Sequence, residues 1–76
     1  MIRELDTVVL RRDLPEHGLR RGDMGTVVLV HSGGRGFEVE FMTLDGKTVC
    51  VISLSASQVR SIARGEIAHA RVLQPA

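Results

Sequence analysis

The sequence FEVEFMTLDGKTVCVISL, residues 37–54, carries the clearest structural signal in the chain. Its first five residues alternate apolar and acidic side chains. This period of two predicts a β-strand with the phenylalanines and the valine facing a core and both glutamates facing water. The pair Asp45-Gly46 suits a tight hairpin turn, because both central positions of such a turn need positive φ. The mostly apolar residues 48–54 then predict the returning strand of a β-hairpin.

Three further strands are predicted around this hairpin. Residues 5–10 and 24–31 are rich in valine, and residues 59–63 form a short closing strand after a helical turn over 55–58 that begins at a serine cap. The sequence therefore predicts an all-β fold, a small five-stranded SH3-like barrel over residues 1–63, which closes its edges instead of exposing them. An OB-fold is the alternative on pattern alone, although such short strands make it a tight fit.

The second predicted strand is apolar on both faces at its centre, with Val27 and Leu29 on one face and Val28 and Val30 on the other. This composition is typical of a strand in the middle of a sheet. The predicted core gathers one or two inward residues from each of the first four strands: Val8, Val27, Val39, Phe41 and Val51.

Residues 64–76 lie beyond the predicted barrel and form a C-terminal tail, which is expected to be a short helix or flexible. Ile67, Ala70 and Leu73 are spaced as a narrow apolar stripe of one or two helical turns. Such a short helix needs a surface to pack on, so we expect it to dock on the barrel. Disorder that folds on a partner is the alternative.

Composition and charge narrow the class of protein. The 76 residues allow one domain, and 10 Lys+Arg against 9 Asp+Glu give a net charge of +1 that is evenly spread, which disfavours a non-specific nucleic-acid binder. The single cysteine, Cys50, cannot form an internal disulfide, and we expect it in the core.

The longest apolar run, residues 27–30, is too short to cross a membrane. No export signal is evident at the N-terminus, so a cytoplasmic location is expected.

The loop over residues 11–23 is the best candidate for a binding site, because long loops in small domains often bind partners. The alternative is structural: Leu14 and Leu19 would plug the barrel mouth, Pro15 would fix the chain direction and Gly18 would take a positive φ. The candidate partner-binding residues are Arg11, Arg12, Leu14, Pro15, Glu16, His17, Leu19, Arg20 and Arg21.

Two pairs of arginines flank this loop, and a folded loop could cluster their guanidinium groups to bind phosphate or carboxylate. Three acidic residues lie close by in sequence, so we expect a loop that compensates its own charge. Adjacent Glu16 and His17 have no nucleophile or second carboxylate tied to them by spacing, and no catalytic residue is predicted. Three scattered histidines and one cysteine fit no metal-ligand spacing, and no cofactor is expected. The glycines of residues 31–36 predict a hairpin turn, since a strand and not a helix follows.

The run LDTVVLRRDLPEHGLRRGDMGTVV, followed by FEVEF, the Asp-Gly hairpin and VISLSASQVR, resembles a family of small bacterial proteins of unknown function. The resemblance covers roughly residues 2–62, and its most specific part is LPEHGL, residues 14–19, placed before GDMGTVV, residues 22–28. It implies an SH3-like barrel and supplies no function. The GDMGTVV segment is also similar to the start of a strand in KOW-type and other SH3-like modules.

The absence of a predicted catalytic constellation favours a protein-interaction module and not an enzyme. The expected partner is a protein, for example a neighbouring gene product to which this chain is the accessory or antitoxin-like member, and a homo-oligomer is a further option. The alternative function is a KOW-type nucleic-acid-binding barrel that uses the arginines. Only Phe37 and Phe41 are aromatic and both are expected in the core, so bases would find no stacking platform.

Overall fold

The structure, a computed structural model, describes residues 1–73. It contains five β-strands and two single 3-10 turns, at Pro15–His17 and Ala56–Gln58. The strands are β1 Thr7–Leu10, β2 Met24–His31, β3 Gly36–Met42, β4 Thr48–Ser55 and β5 Val59–Ser61. No helix in the described part of the chain has the length and hydropathy needed to span a bilayer.

The strands form one antiparallel sheet in the order β4-β3-β2-β1-β5. The first four follow one another as a meander, and β5 returns to the outside of β1 through the 3-10 turn before it. The Ser55 N–H begins that turn by donating to the Gln58 side-chain oxygen at 2.8 Å. The predicted all-β class is confirmed, and the arrangement is consistent with an SH3-like barrel. The central position predicted for β2 is also confirmed.

A bulge in β2 changes the faces predicted for its valines. Val27 pairs with Val39 but Leu29 pairs with Glu38, so Val28 is an extra residue with no partner across the ladder. After the bulge Val30, which pairs with Phe37, returns to the core side. The prediction that Val27 and Leu29 share a face is therefore wrong: Val27 is fully buried and Leu29 is 44% exposed.

The register of β4 overturns one predicted core residue. Val51 pairs with Glu40 on the outer face and is 51% exposed. Directly paired residues share a face, so the core side of β4 carries Cys50, opposite Phe41, and Ile52, opposite Val39. The run VCVI is apolar at every position, and only pairing with the alternating β3 selects the face. Cys50 is half-buried against the core, where burial raises the pKa of its thiol.

The other four predicted core residues are buried: Val8, Val27, Val39 and Phe41. Gly25 of β2 lies directly against this core. A Cβ atom at this position would lie 2.6 Å from Val39 Cγ1, so only glycine lets β2 approach β3 so closely. The full core cluster is Val8, Leu10, Leu14, Leu19, Val27, Phe37, Val39, Phe41, Leu54 and Val59.

The hairpin turn between β3 and β4 differs in detail from the tight turn predicted. It spans Thr43–Lys47, with Thr43 N–H donating to the Lys47 carbonyl at 2.8 Å and Gly46 N–H donating to the Thr43 carbonyl at 3.0 Å. Only Gly46, at φ 93°, has positive φ in this turn. The loop is thus one residue longer than a two-residue turn, which removes the need for positive φ at Asp45.

The predicted tail helix is absent between Glu66 and Leu73, where the chain has no regular secondary structure. Side-chain bonds to the barrel hold this segment in place of a helical ladder, as described below. The remainder of the predicted tail, residues 74–76, lies outside the described residues. The first strand also begins later than predicted, at Thr7, because Leu5 takes a left-handed φ of 72°.

Candidate interaction surface

The long loop over residues 11–23 is closed on itself by two leucines. Leu14 N–H donates to the Leu19 carbonyl at 2.8 Å and Leu19 N–H donates back to the Leu14 carbonyl at 3.1 Å. Both side chains are buried in the core, so the structural role predicted for them is present and neither is free to contact a partner directly. Pro15–His17 make one 3-10 turn between them, which ends at Gly18 with φ 69°. The tip of the loop is therefore an ordered turn with Pro15, Glu16 and His17 exposed.

Two carboxylates hold the second half of the loop through backbone amides. Asp13 Oδ1 accepts the Arg21 N–H at 2.8 Å, and Asp23 Oδ2 accepts the Arg20 N–H at 2.8 Å. Leu10 makes two further backbone hydrogen bonds to this half of the loop. Its N–H donates to the Asp23 carbonyl, and its carbonyl accepts the Gly22 N–H. Asp13 and Asp23, two of the three acidic residues that were expected to compensate the arginines, therefore bind the main chain of the loop.

The four loop arginines are left without ion-pair partners among residues 1–73. The ion pairs in that part of the chain are Arg60–Glu66 and Arg71–Asp23, and the imidazole of His31 also contacts Glu38. Every arginine of the loop is exposed: Arg11, Arg12, Arg20 and Arg21. The expectation of a self-compensated loop holds for total charge but not for contacts, because within the described residues no guanidinium group of the loop meets a carboxylate.

The fold brings two of these arginines together with a third from β5. Arg11 and Arg21 line a polar cleft of about 450 Å³ together with Arg60. Arg12 and Arg20 are not part of this cleft. The pairing of β1 with β5 brings these arginines together, because Arg60 lies opposite Val9, two residues before the start of the loop at Arg11.

A second set of charged residues ties the tail to the barrel, and the sequence analysis missed it. Arg71 donates to both carboxylate oxygens of Asp23, at 2.9 Å from Nε and 2.5 Å from Nη2, and to the Gly18 carbonyl at 3.0 Å. Burial alone would raise the pKa of Asp23, but the hydrogen bonds from Arg71 and the Arg20 N–H outweigh it and the pKa is lowered. The partners are 48 positions apart, so no local pattern indicates the pair.

The second tail contact joins Arg60 and Glu66. The guanidinium group of Arg60 donates to both carboxylate oxygens of Glu66, at 2.8 and 2.6 Å, and Ala63 N–H donates to the same carboxylate at 2.6 Å. These hydrogen bonds lower the pKa of Glu66 to about 2. Arg60 therefore faces the polar cleft of the loop arginines while its own charge is paired with the tail.

The outer face of the sheet holds one further polar cluster. Glu38 Oε2 accepts the Ser53 hydroxyl at 2.5 Å and contacts His31 Nε2 at 2.7 Å, and these two contacts lower the pKa of Glu38. The three residues are on the paired strands β2, β3 and β4, where His31 and Ser53 are exposed and Glu38 is partly buried. In residues 1–73 no group of three or more histidine, cysteine, aspartate or glutamate side chains is arranged to hold a metal ion.

Comparison with known sequence families identifies residues 4–61 as a match to DUF4926, a domain of unknown function. The chain belongs to this family. The resemblance to a small family of unknown function, which the LPEHGL and GDMGTVV segments indicated, is thereby confirmed. No curated protein and no solved structure is significantly similar to the chain.

The DUF4926 match contains the whole long loop and all five strands, but it ends before the tail. Asp23 and Arg60, which hold the tail, are inside the match, and their partners Glu66 and Arg71 are outside it. The surface on which the tail lies is therefore part of the DUF4926 domain, and the segment that covers it is not.

Proposed function

We propose that this DUF4926 domain is a protein-interaction module whose long loop binds an acidic segment of a partner protein. The observation that carries the proposal is the set of four loop guanidinium groups that meet no carboxylate among residues 1–73, although three acidic residues share the loop. Arginine suits this role because its planar donors match a carboxylate in a bidentate geometry.

The ordered backbone of the loop strengthens the proposal. The Leu14–Leu19 bridge and the Asp13 and Asp23 carboxylates fix the main chain on both sides of the tip. A preformed loop loses little backbone entropy on binding, and this makes a weak set of charge contacts more effective. A cytoplasmic partner encoded beside this chain, to which the domain acts as an accessory subunit, belongs to the same proposal.

Nucleic acid is the alternative ligand, as in KOW-type barrels, and the cleft shared by Arg11, Arg21 and Arg60 favours it because guanidinium groups also bind phosphate. Two observations favour protein. Phe37 and Phe41 are the only aromatic residues and each is 2% exposed, so no base can stack on them. The net charge of +1 provides little long-range attraction for a polyanion.

The test measures binding of two labelled probes to the full chain at physiological ionic strength, an acidic peptide and a single-stranded RNA of equal charge. Arg11→Gln with Arg21→Gln should weaken peptide binding by about twofold to thirtyfold, because each exposed ion pair contributes about 0.2–1 kcal/mol. The matched control, Arg35→Gln with Arg64→Gln, removes two exposed arginines elsewhere and should change it little.

Absence of peptide binding, or equal weakening by both double variants, would refute the proposal. Tighter binding of the RNA than of the peptide, with a steep loss of affinity as salt is added, would support the KOW-type alternative.

A further inference from the structure

The tail occupies a groove on the DUF4926 domain. Residues 66–73 cross the surface from β5 to the β3–β4 hairpin, passing over the start of β2. We call the surface beneath them the tail groove, and its central lining residues are Val9, Leu19, Gly22, Met24, Phe41 and Leu44. The tail groove adjoins the polar cleft of the loop arginines, since Arg60 and Gly22 line both, and its charged ends are Arg60 and Asp23.

Side chains hold the tail in this groove, and its main chain contributes almost nothing. Within residues 62–73 the one backbone–backbone hydrogen bond is local, from Glu66 N–H to the Ala63 carbonyl. The anchors are the two ion pairs, Glu66 to Arg60 at one end and Arg71 to Asp23 at the other. Ion pairs near a surface contribute little to stability, so a segment held in this way exchanges readily with a competitor.

The tail also fills its groove poorly. A cleft of about 320 Å³ remains between Ala68–Arg71 and the barrel around Phe41 and Leu44. A second cleft of about 320 Å³ remains between Glu66–His69 and the barrel around Val9 and Met24. Clefts of this size accept apolar side chains. The tail lines the first cleft with five residues, of which Leu73 alone has a large apolar side chain, and at Ala68 and Ala70 it offers only methyl groups. Ile67, which could fill more space, is 93% exposed.

We propose that the tail groove is a peptide-binding site of this domain, which the chain's own tail occupies as a weak intramolecular ligand. The ligand that fits is an extended partner segment with the charge spacing of the tail. It carries an acidic residue for Arg60 and, five positions later, an arginine for Asp23. At the position of Ala70 it carries a larger apolar residue, which the underfilled cleft beside Phe41 accommodates.

An intramolecular tail competes through its high local concentration, which for a short linker is in the millimolar range. A partner segment does not have this high local concentration, so it must bind the groove more tightly than the tail does. Burial of a larger apolar side chain provides the additional binding free energy. The tail thereby sets the minimum affinity that a partner segment needs to displace it, and segments with little resemblance to the tail bind too weakly.

The test uses the full chain and a labelled peptide with the sequence of residues 62–73. Glu66→Gln with Arg71→Gln in the chain removes both anchors, so this variant should bind the peptide at least about tenfold more tightly than the unmodified chain. The matched control, Glu4→Gln with Arg64→Gln, removes the same two charges away from the anchors and should bind like the unmodified chain. Arg71→Gln alone serves if the double variant unfolds.

Peptide variants examine the predicted ligand chemistry. A peptide with Ala70→Leu should bind the anchor-free chain several-fold more tightly than the native peptide, and one with Arg71→Glu should lose binding. Equal affinity of the unmodified and anchor-free chains, or undiminished binding of the Arg71→Glu peptide, would overturn the proposal. A dimer of the unmodified chain that Arg71→Gln converts to monomers would also overturn it, because the tail would then belong to a second copy.

Discussion

Replacement of Gly25 by alanine should destabilise the domain more than the same substitution at any other glycine that does not have a positive φ. Gly25 is buried in β2, the central strand, and its added Cβ would lie 2.6 Å from Val39 Cγ1, 2.9 Å from Phe41 Cε1 and 3.0 Å from the Glu40 carbonyl oxygen. Carbon atoms in contact prefer separations of about 3.5–4.0 Å.

The size of this destabilisation depends on whether the atoms that the new Cβ would contact can move away. Val39 is fully buried and Phe41 is 2% exposed, so neither side chain can withdraw without disturbing the core, and the Glu40 oxygen belongs to the β3 backbone. Overpacking of a core costs about 1–3 kcal/mol, and three close approaches place Gly25→Ala near the upper end. The reduced freedom of the unfolded chain returns about 0.4–1 kcal/mol. The expected net loss is therefore about 2 kcal/mol, or about 8–16 °C in Tm for a domain of this size.

Gly36→Ala is the matched control, since Gly36 also lies in a strand and its Cβ would meet the Leu54 carbonyl oxygen at 3.4 Å, an ordinary contact. It alters the unfolded chain in the same way, so the difference between the two variants isolates the packing cost. Urea unfolding followed by circular dichroism gives both free energies of unfolding. If the free energies of unfolding of Gly25→Ala and Gly36→Ala agree within about 0.5 kcal/mol, the close contacts of the added Cβ atom do not have the expected packing cost.

Three further measurements address the loop, the tail and the outer face. Leu19→Ala should lower the free energy of unfolding by about 2–4 kcal/mol, whereas Glu16→Ala on the exposed loop tip should change it by less than about 0.5 kcal/mol. The carboxyl of Glu66 should titrate by NMR near pH 2, and the stabilisation from its ion pair should be complete above its ordinary pKa of 4.5 and decline as pH falls towards 2. Ser53→Ala should raise the pKa of Glu38 towards its ordinary value, because the strongest hydrogen bond that lowers it is removed.

The positions of the strands and of the long loop could be predicted from the sequence, because both depend on residues that are close together along the chain. Alternation in residues 37–41 determines which side of β3 is buried, and all five strands lie where apolar runs and turn residues predict them. The roles of Leu14, Leu19 and Gly18 in the loop were equally visible, since an apolar pair around a glycine and a proline has few compact solutions.

The contacts of the candidate site were less accessible. The four arginines are conspicuous in sequence, but the destinations of the Asp13 and Asp23 carboxylates are set by the folded loop. A carboxylate close in sequence to a guanidinium group was expected to pair with it. In the folded loop Asp13 and Asp23 accept the backbone amides of Arg21 and Arg20 instead, and the guanidinium group that Asp23 does meet is that of the distant Arg71.

By itself, the sequence determined the all-β class, the number of strands and the long loop, since periodicity and turn chemistry act over a few residues. The family was indicated by the resemblance of its LPEHGL and GDMGTVV segments. Only the tertiary structure decided that Val28 is a bulge, that Val51 faces outward and that Arg71 meets Asp23. The physical reason is that strand register and ion pairs between distant residues depend on which backbones lie side by side. An apolar run such as residues 49–52 fits either face equally well until its neighbour is in place.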